Sequence, residues 1–201
     1  MKKNPAVFLD RDGTMNEEVG YLGSLDKLKL YDNAVEAVRL INDSGMKAVV
    51  ITNQSGVARG YFDEEFVRTV HEAIQKILGE QGAMIDAFYY CPHHATEGIG
   101  VYRQACSCRK PETGMLIRAS EDLDIDLKRS YIVGDTLKDI QTGDRVGAKG
   151  ILVKTGYGLK SISELSQEGH EKTVRPCHIA EDLLDAVQWI MQDREKIQRA
   201  R

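Results

Sequence analysis

Apolar positions along the chain follow two alternating patterns. Short continuous runs, Ala6-Val7-Phe8-Leu9, Ala48-Val49-Val50-Ile51, Tyr131-Ile132-Val133 and Ile151-Leu152-Val153, read as strands buried on both faces of a parallel sheet. Together with two weaker segments they predict strands over residues 6–10, 47–52, 87–91, 131–133, 150–153 and 174–179. Between these runs apolar residues recur at helical spacing. Val35, Val38, Leu40 and Ile41 predict a helix over residues 33–44, with Gly45 as its stop. Phe66, Val67, Val70, Ile74, Ile77 and Leu78 predict another, opening at Asp63, a good N-terminal cap. Pro111 suits the first turn of a third helix, running to about residue 123. A short helix over 138–146 and a closing one from about residue 181, with Leu183, Leu184, Val187, Ile190 and Met191 on one face, complete the set.

This alternation predicts an α/β fold, a doubly wound, Rossmann-like parallel sheet with helices on both faces. No linker or repeat divides the chain, and no insertion is large enough for a cap domain. A single domain over residues 1–201 is expected, finished by a strand and helix over about 174–198. Residues 13–32 read as a loop with a hairpin or flap at Val19-Gly20-Tyr21-Leu22. Residues 53–61 also read as loop, 160–172 as a polar segment, and 92–110 as an irregular connection too long to be routine.

Composition narrows the function classes. The chain has 201 residues, 42% hydrophobic and 29% charged, which suits one soluble core. A net charge of −4 offers no general attraction to nucleic acid or to an anionic membrane. No run approaches a membrane span, and the start of the chain lacks a signal-peptide core. A cytoplasmic monomer with a small-molecule substrate, and neither a nucleic-acid nor a membrane partner, is therefore expected. Three of the four cysteines, Cys91, Cys106 and Cys108, cluster, which in a reducing compartment points to metal before disulfide. Cys177 stands apart as a core or surface thiol.

The candidate chemistry gathers at predicted strand ends. The first strand runs into Asp10-Arg11-Asp12-Gly13-Thr14, and carboxylates at the lip of an apolar strand need a cation, hydrogen bonds or a metal. An isolated Asp-x-Asp-Gly is more often a turn. Three further segments shift the balance. Thr52-Asn53 ends the second strand with neutral donors, Lys110 follows Arg109 as a candidate fixed cation, and Gly134-Asp135 brings another carboxylate to the end of the fourth strand. Oxygen ligands of this kind suit Mg²⁺. Asp139 reads as a helix cap. In the long connection, Cys91-Pro92-His93-His94 and Cys106-Ser107-Cys108 offer a closed Cys₃His zinc set: Cys91, His93, Cys106 and Cys108, with His94 as the alternative imidazole. Such a zinc would be structural and would fix the loop over 91–108 that delivers Arg109 and Lys110.

Asp-x-Asp-Gly-Thr, then Thr-Asn, then Lys, then Gly-Asp-x-x-x-Asp, in that order, resembles the haloacid dehalogenase superfamily of phosphatases over residues 6–158. Cys-Pro-His-His, Cys-x-Cys-Arg-Lys-Pro, Gly114-Met115, the Thr52–Gly60 run and the Glu18-Val19-Gly20-Tyr21 flap are similar to its heptose-bisphosphate and histidinol-phosphatase branch. The resemblance implies that Asp10 is the nucleophile forming an aspartyl-phosphate and that Asp12 is the general acid, then base. It implies that Thr52 or Asn53, with Lys110, binds the phosphoryl oxygens. Mg²⁺ would be held by Asp10, the Asp12 backbone carbonyl and Asp135. Glu18, Val19, Gly20, Tyr21, Thr52, Asn53, Gln54, Ser55, Arg59, Arg109 and Lys110 would line the substrate site. The implied reaction is removal of the 7-phosphate of a heptose 1,7-bisphosphate, with histidinol phosphate as the alternative substrate. As an acid, Asp12 is expected to have a raised pKa, pushed up by the neighbouring carboxylate. Thr136 and Thr113 depart from the branch, which carries Lys and Pro there. A phospho-accepting receiver module and a zinc-dependent nucleic-acid binder are the readings from other classes, and steady-state phosphate release separates the first of them from an enzyme.

Overall fold

The computed structural model describes residues 3–166 and 175–199. Its frame is a six-stranded, all-parallel sheet in the order β3-β2-β1-β4-β5-β6. The strands are β1 (Ala6–Leu9), β2 (Lys47–Asn53), β3 (Ala87–Cys91), β4 (Tyr131–Gly134), β5 (Lys149–Val153) and β6 (His178–Ala180). Side chains alternate across β1: Val7 and Leu9 join one core layer, Ala6 and Phe8 the other. The first layer packs against α1 (Ala34–Asp43), α3 (Glu64–Gly79) and α7 (Leu183–Arg199). The second packs against α4 (Gly114–Asp122) through Met115, Leu116 and Ala119. Both faces of the sheet are thus covered, which is why its strands read as unbroken apolar runs.

The strand order reverses between β1 and β4. In a doubly wound sheet, the crevice at the carboxyl ends of the strands flanking that reversal is where ligands bind. Asp10 follows β1 there, and its backbone N–H bonds the carbonyl of Val133 at 2.9 Å, tying the two strand ends together.

The local differences from the sequence expectations have physical reasons. Residues 53–61 are not all loop: Ser55–Ala58 form a short helix, α2, whose Gly56, Val57 and Ala58 are buried. Pro111 does not open α4; Thr113 caps that helix, and the Lys110-Pro111 peptide is cis. Asp63 caps α3 as expected, accepting the Phe66 N–H at 2.8 Å. The supposed polar segment begins with α6 (Gly158–Leu165), whose small and polar residues Gly158 and Ser161 face inward. Residues 167–172 and Val174, the expected start of the last strand, lie outside the described residues. Cys177 is an exposed thiol. The flap at 18–22 is a turn without a hairpin; Gly20 takes φ +78°, and Tyr21 N–H bonds Val19 O at 3.1 Å. Among the described residues no helix is long and apolar enough to cross a membrane.

Candidate active site

Asp10, Asp135 and Asp139 converge at the strand reversal, all buried, with one oxygen from each within 4.8 Å of the others. Lys110 projects between them. Its Nζ lies 2.6 Å from Asp10 Oδ1, 2.5 Å from Asp139 Oδ1 and 3.1 Å from the carbonyl of Ile51. Asn53 holds the lysine's backbone: its Oδ1 accepts the Lys110 N–H at 3.0 Å, and its amide donates to Lys110 O at 3.2 Å. Asp139 also closes a capping box with Thr136 at the start of α5 (Leu137–Asp144). The same carboxylate therefore serves the helix and the lysine.

Asp135 is clamped from above. The backbone N–H of Tyr157 donates to its Oδ2 at 2.8 Å, and a Cβ at either Gly13 or Gly156 would overlap that carboxylate. Both glycines have positive φ, +82° and +54°, so each meets a close approach and a left-handed backbone at once.

Three buried carboxylates share one lysine, and the proton affinities show it. Burial, outweighing Lys110, raises the Asp10 pKa well above its ordinary value, with Asp139 and Asp135 adding to the rise. Burial, reinforced by Asp139, pushes Asp135 up to about 7. Lys110 is buried, yet Asp10 and Asp139 hold its pKa above the ordinary lysine value. A hard divalent cation among these oxygens would relieve the repulsion, so the donor set fits Mg²⁺.

Asp12 departs from the sequence expectation. Burial alone would raise its pKa, but Arg11, with hydrogen bonds from Asn16 and Gln54, lowers it below the ordinary value. Arg11 Nη2 reaches Asp12 Oδ2 at 2.8 Å and Nε reaches Oδ1 at 3.2 Å, a two-pronged grip. Asn16 donates to Oδ1 at 3.0 Å and Gln54 to Oδ2 at 2.9 Å. The raised value expected from a neighbouring carboxylate is not found: the rise comes from burial, and the arginine one residue away, with the hydrogen bonds, overcomes it.

Arg11 is itself buried, and its Nη1 approaches His71 Nε2 at 3.4 Å while the His71 ring stacks on Phe88. Arginine can only donate, so Nε2 carries the lone pair and His71 is neutral. Burial and then Arg11 lower its pKa to about 3. The sign follows from proton uptake. Above about pH 6.5 the group is neutral folded or unfolded and contributes no pH dependence. Below it the unfolded chain binds the proton and the fold does not, so stability falls as pH drops toward 3, by up to a few kcal/mol. His71→Gln is expected to flatten the melting temperature between pH 6.5 and 4 relative to the parent. Parallel curves for the two proteins would remove His71 from the acid response.

The cleft around the trio holds about 220 Å³. Asp10, Asp12, Glu18, Gly20, Tyr21, Thr52, Asn53, Gln54, Ser55, Arg109, Lys110 and Asp135 all line it. Two expected residues do not. Val19 is exposed on the flap itself, and Arg59 turns its guanidinium to Glu97 and the Tyr21 ring. Six lining residues were not among the expected ones: Leu22, Gly56, Phe62, Thr136, Lys138 and Tyr157. Lys138 could have been found, since it stands beside the departure at Thr136 and is the nearest cation to it in sequence.

The long connection brings Cys91, His93, Cys106 and Cys108 together. Sulfur–sulfur distances are 3.4 Å for Cys91–Cys106 and 3.3 Å for Cys106–Cys108; His93 Nδ1 lies 3.8 and 3.6 Å from Cys91 and Cys108. A tetrahedral zinc with bonds of about 2.0–2.3 Å needs ligand separations of roughly 3.5–3.8 Å, so the set fits with a small expansion. A hydrogen bond from Cys91 chiefly lowers Cys108 to about 5, while Cys91 itself is pushed up, so one thiolate is already favoured. His94 points elsewhere: its Nδ1 accepts the backbone N–H of Glu97 at 3.1 Å and of Thr96 at 3.4 Å.

Known proteins are similar to this chain in sequence and fold. The HAD-hydrolase-like family model matches residues 107–186. A D-glycero-D-manno-heptose-1,7-bisphosphate 7-phosphatase of Thermosynechococcus vestitus is 43% identical over 92% of this chain and 95% of its own length. A D-glycero-beta-D-manno-heptose-1,7-bisphosphate 7-phosphatase of Escherichia coli is 44% identical over 81% and 86%. The crystal structure of a D,D-heptose 1,7-bisphosphate phosphatase from B. bronchiseptica, complexed with magnesium and phosphate, superposes with a TM-score of 0.80 at 30% identity, covering 94% of this chain and 99% of that one. With relatives this similar along nearly its whole length, and a carboxylate trio around a buried lysine at the sheet's switch point, the chain belongs to the haloacid dehalogenase superfamily, among its heptose-bisphosphate phosphatases.

Proposed function

We propose that this chain removes the 7-phosphate of D-glycero-D-manno-heptose 1,7-bisphosphate in the cytoplasm, acting as one phosphatase unit and a monomer. The observation that carries the reading is the cleft in which Asp10 and Lys110 meet at the end of β1, in a chain this similar to enzymes named for that reaction.

In this reading Asp10 attacks the phosphorus and Asp12 delivers a proton to the departing C7 oxygen, leaving an aspartyl-phosphate on Asp10. Asp12 then takes a proton from the water that cleaves the aspartyl-phosphate, so the two half-reactions reuse one carboxyl. Arg11 holds Asp12 ionised, the form needed for the second half-reaction. For the first, the negative charge of the arriving phosphate raises the proton affinity of Asp12 against the arginine. Lys110, with Thr52 and the Asn53 amide beside it, holds phosphoryl oxygens and offsets the charge of the attacking carboxylate. Mg²⁺, held by Asp10, Asp135 and the Asp12 carbonyl with Asp139 beside it, would supply further charge stabilisation. Zn²⁺ on Cys91, His93, Cys106 and Cys108 would be structural, because a Cys₃His set leaves no open position.

At the outer wall of the cleft stand Arg109 and Lys138, neither with a carboxylate within 4 Å among the described residues. Arg109 Nη1 is steadied by the carbonyl of His93 at 3.0 Å. Two unpaired cations suit the phosphate that is kept, and their presence favours a bisphosphate over histidinol phosphate, which has only one phosphate to offer. With Mg²⁺ present, kcat/KM for the heptose bisphosphate is expected to exceed that for histidinol phosphate by at least about 100-fold, the selectivity that one lost charge-assisted contact can produce. Equal values, or a preference for histidinol phosphate, would move the chain to the other substrate of the branch.

A further inference from the structure

Arg59 is the residue whose placement differs most from a substrate contact. Its guanidinium forms an ion pair with Glu97, which lies between His93 and Cys106 in the metal-ligand loop. The same guanidinium sits over the Tyr21 ring, 5.8 Å from its centroid. Tyr21 belongs to the flap at the cleft mouth and meets Tyr61 edge-on, with centroids 4.7 Å apart and planes at 75°. Arg59 therefore touches the flap on one side and the loop on the other.

Each end of this contact is anchored. Glu97 is placed by its own backbone N–H, which donates to His94 Nδ1 at 3.1 Å. The imidazole of His94, beside His93, thus acts as a peg for the acidic residue. Two residues on, Ile99 N–H bonds the carbonyl of Ala58 at 2.8 Å, joining the loop to the end of α2 next to Arg59. Tyr102 fixes the far side of the loop through Glu64 on α3, at 2.8 Å. On the flap, Gly20 N–H donates to the Glu18 carboxylate, closing the turn that presents Tyr21.

We infer that Arg59 is a positioning residue: it ties the substrate flap to the metal-ligand loop through the Glu97 ion pair and the Tyr21 ring, and so sets how tightly the flap closes over bound sugar phosphate. The two contacts use different faces of one group. The planar guanidinium presents an edge to a carboxylate and its face to an aromatic ring, which an ammonium cannot do together. A contiguous path runs from His94 through Glu97 and Arg59 to Tyr21, and no member of it other than Tyr21 lines the cleft. The inference deepens the proposed function, since its kinetic consequence rests on a sugar phosphate binding beneath the flap. The structural consequence does not.

Two measurements keep these apart. Hydrogen–deuterium exchange of the peptide spanning residues 18–22, without substrate, is compared in the parent, Glu97→Gln, Arg59→Ala and the double variant. Zinc content and melting temperature are followed alongside. Glu97→Gln is expected to speed exchange in the flap several-fold while core peptides and zinc content stay as in the parent. Arg59→Ala has the larger effect, and adding Glu97→Gln to it changes the flap little, because the strut is already gone. Arg59→Lys, which keeps the charge but not the plane, falls between parent and Arg59→Ala. In kinetics with the heptose bisphosphate, Glu97→Gln is expected to raise KM about five-fold with kcat within two-fold of the parent. Flap exchange at the parent rate in both single variants, or additive effects in the double variant, would overturn the strut whatever the substrate. Faster flap exchange with no change in KM would retain the strut and place the fault in the substrate reading.

Discussion

Asp10→Asn is expected to lower phosphate release by on the order of 10⁴-fold or more, while the metal-free protein melts at a higher temperature than the parent. The amide can still accept the hydrogen bond from Lys110 but cannot attack phosphorus, and loss of a nucleophile removes the covalent route outright. The stability gain has a separate origin. Asp10, Asp135 and Asp139 are three buried carboxylates against the single cation Lys110, and one neutralised member relieves repulsion. Relief of about 1–2 kcal/mol would lift the melting temperature of a domain this size by about 2–8 °C. Mg²⁺ should reverse the order, since the parent gains more from the ion than a variant lacking one ligand. Steady-state phosphate release and thermal melts with and without Mg²⁺ check both halves. A variant that turns over at a near-parental rate would remove Asp10 from the chemistry; one that melts lower without metal would show that the trio is not under strain.

Cys108→Ala is expected to be the next most damaging change. With a fitting tetrad, one lost thiolate weakens zinc binding severely, and structural zinc free energy is folding free energy for the segment that it ties. That segment ends two residues before Lys110. Asn53 still brackets the lysine's backbone, so the outcome is a misplaced Lys110 and Arg109 more than an unfolded sheet. Zinc should fall from about one equivalent to well below it, phosphate release by about 100-fold or more, and exchange protection of residues 91–108 should be lost while core peptides keep theirs. Full activity in a zinc-free variant would reduce the loop to decoration.

The reasons these sites were visible along the chain, or hidden, differ by residue. Strands were legible because both faces of the sheet are covered, which forces unbroken apolar runs such as Val7-Phe8-Leu9 and Val49-Val50-Ile51. The convergence of Asp10, Thr52, Lys110 and Asp135 was legible for a related reason: each stands at the end of a strand or beside the loop that carries the Cys/His cluster, and a doubly wound sheet gathers those ends. The tetrad was legible from residue type and was resolved to His93 over His94 only by side-chain direction.

What stayed hidden depends on partners distant in sequence. Asp139 carries an ordinary capping-box signal with Thr136, and nothing local shows that Lys110 lies 2.5 Å from it. The low proton affinity of Asp12 depends on how the buried Arg11 folds back onto its carboxylate, beside His71 on α3. Arg59 entered the expected substrate set through the resemblance of the Thr52–Gly60 run; Glu97, in the loop between His93 and Cys106, draws it away. Pro111 fits a helix start by residue type, yet α4 starts three residues later, where the Gly114 N–H bonds the carbonyl of Ser107 at 2.8 Å.

The most direct test is the position from which phosphate leaves. The proposed chemistry places the 7-phosphoryl group against Asp10 and Lys110 and the retained phosphate toward Arg109 and Lys138. Phosphorus NMR of the enzyme with Mg²⁺ and D-glycero-D-manno-heptose 1,7-bisphosphate follows both phosphates at once. The expected result is loss of the 7-phosphate resonance, matched by inorganic phosphate, with the 1-phosphate resonance retained in the product. Loss of the 1-phosphate, or a bisphosphate that persists through prolonged incubation with the metal-loaded protein, would contradict it.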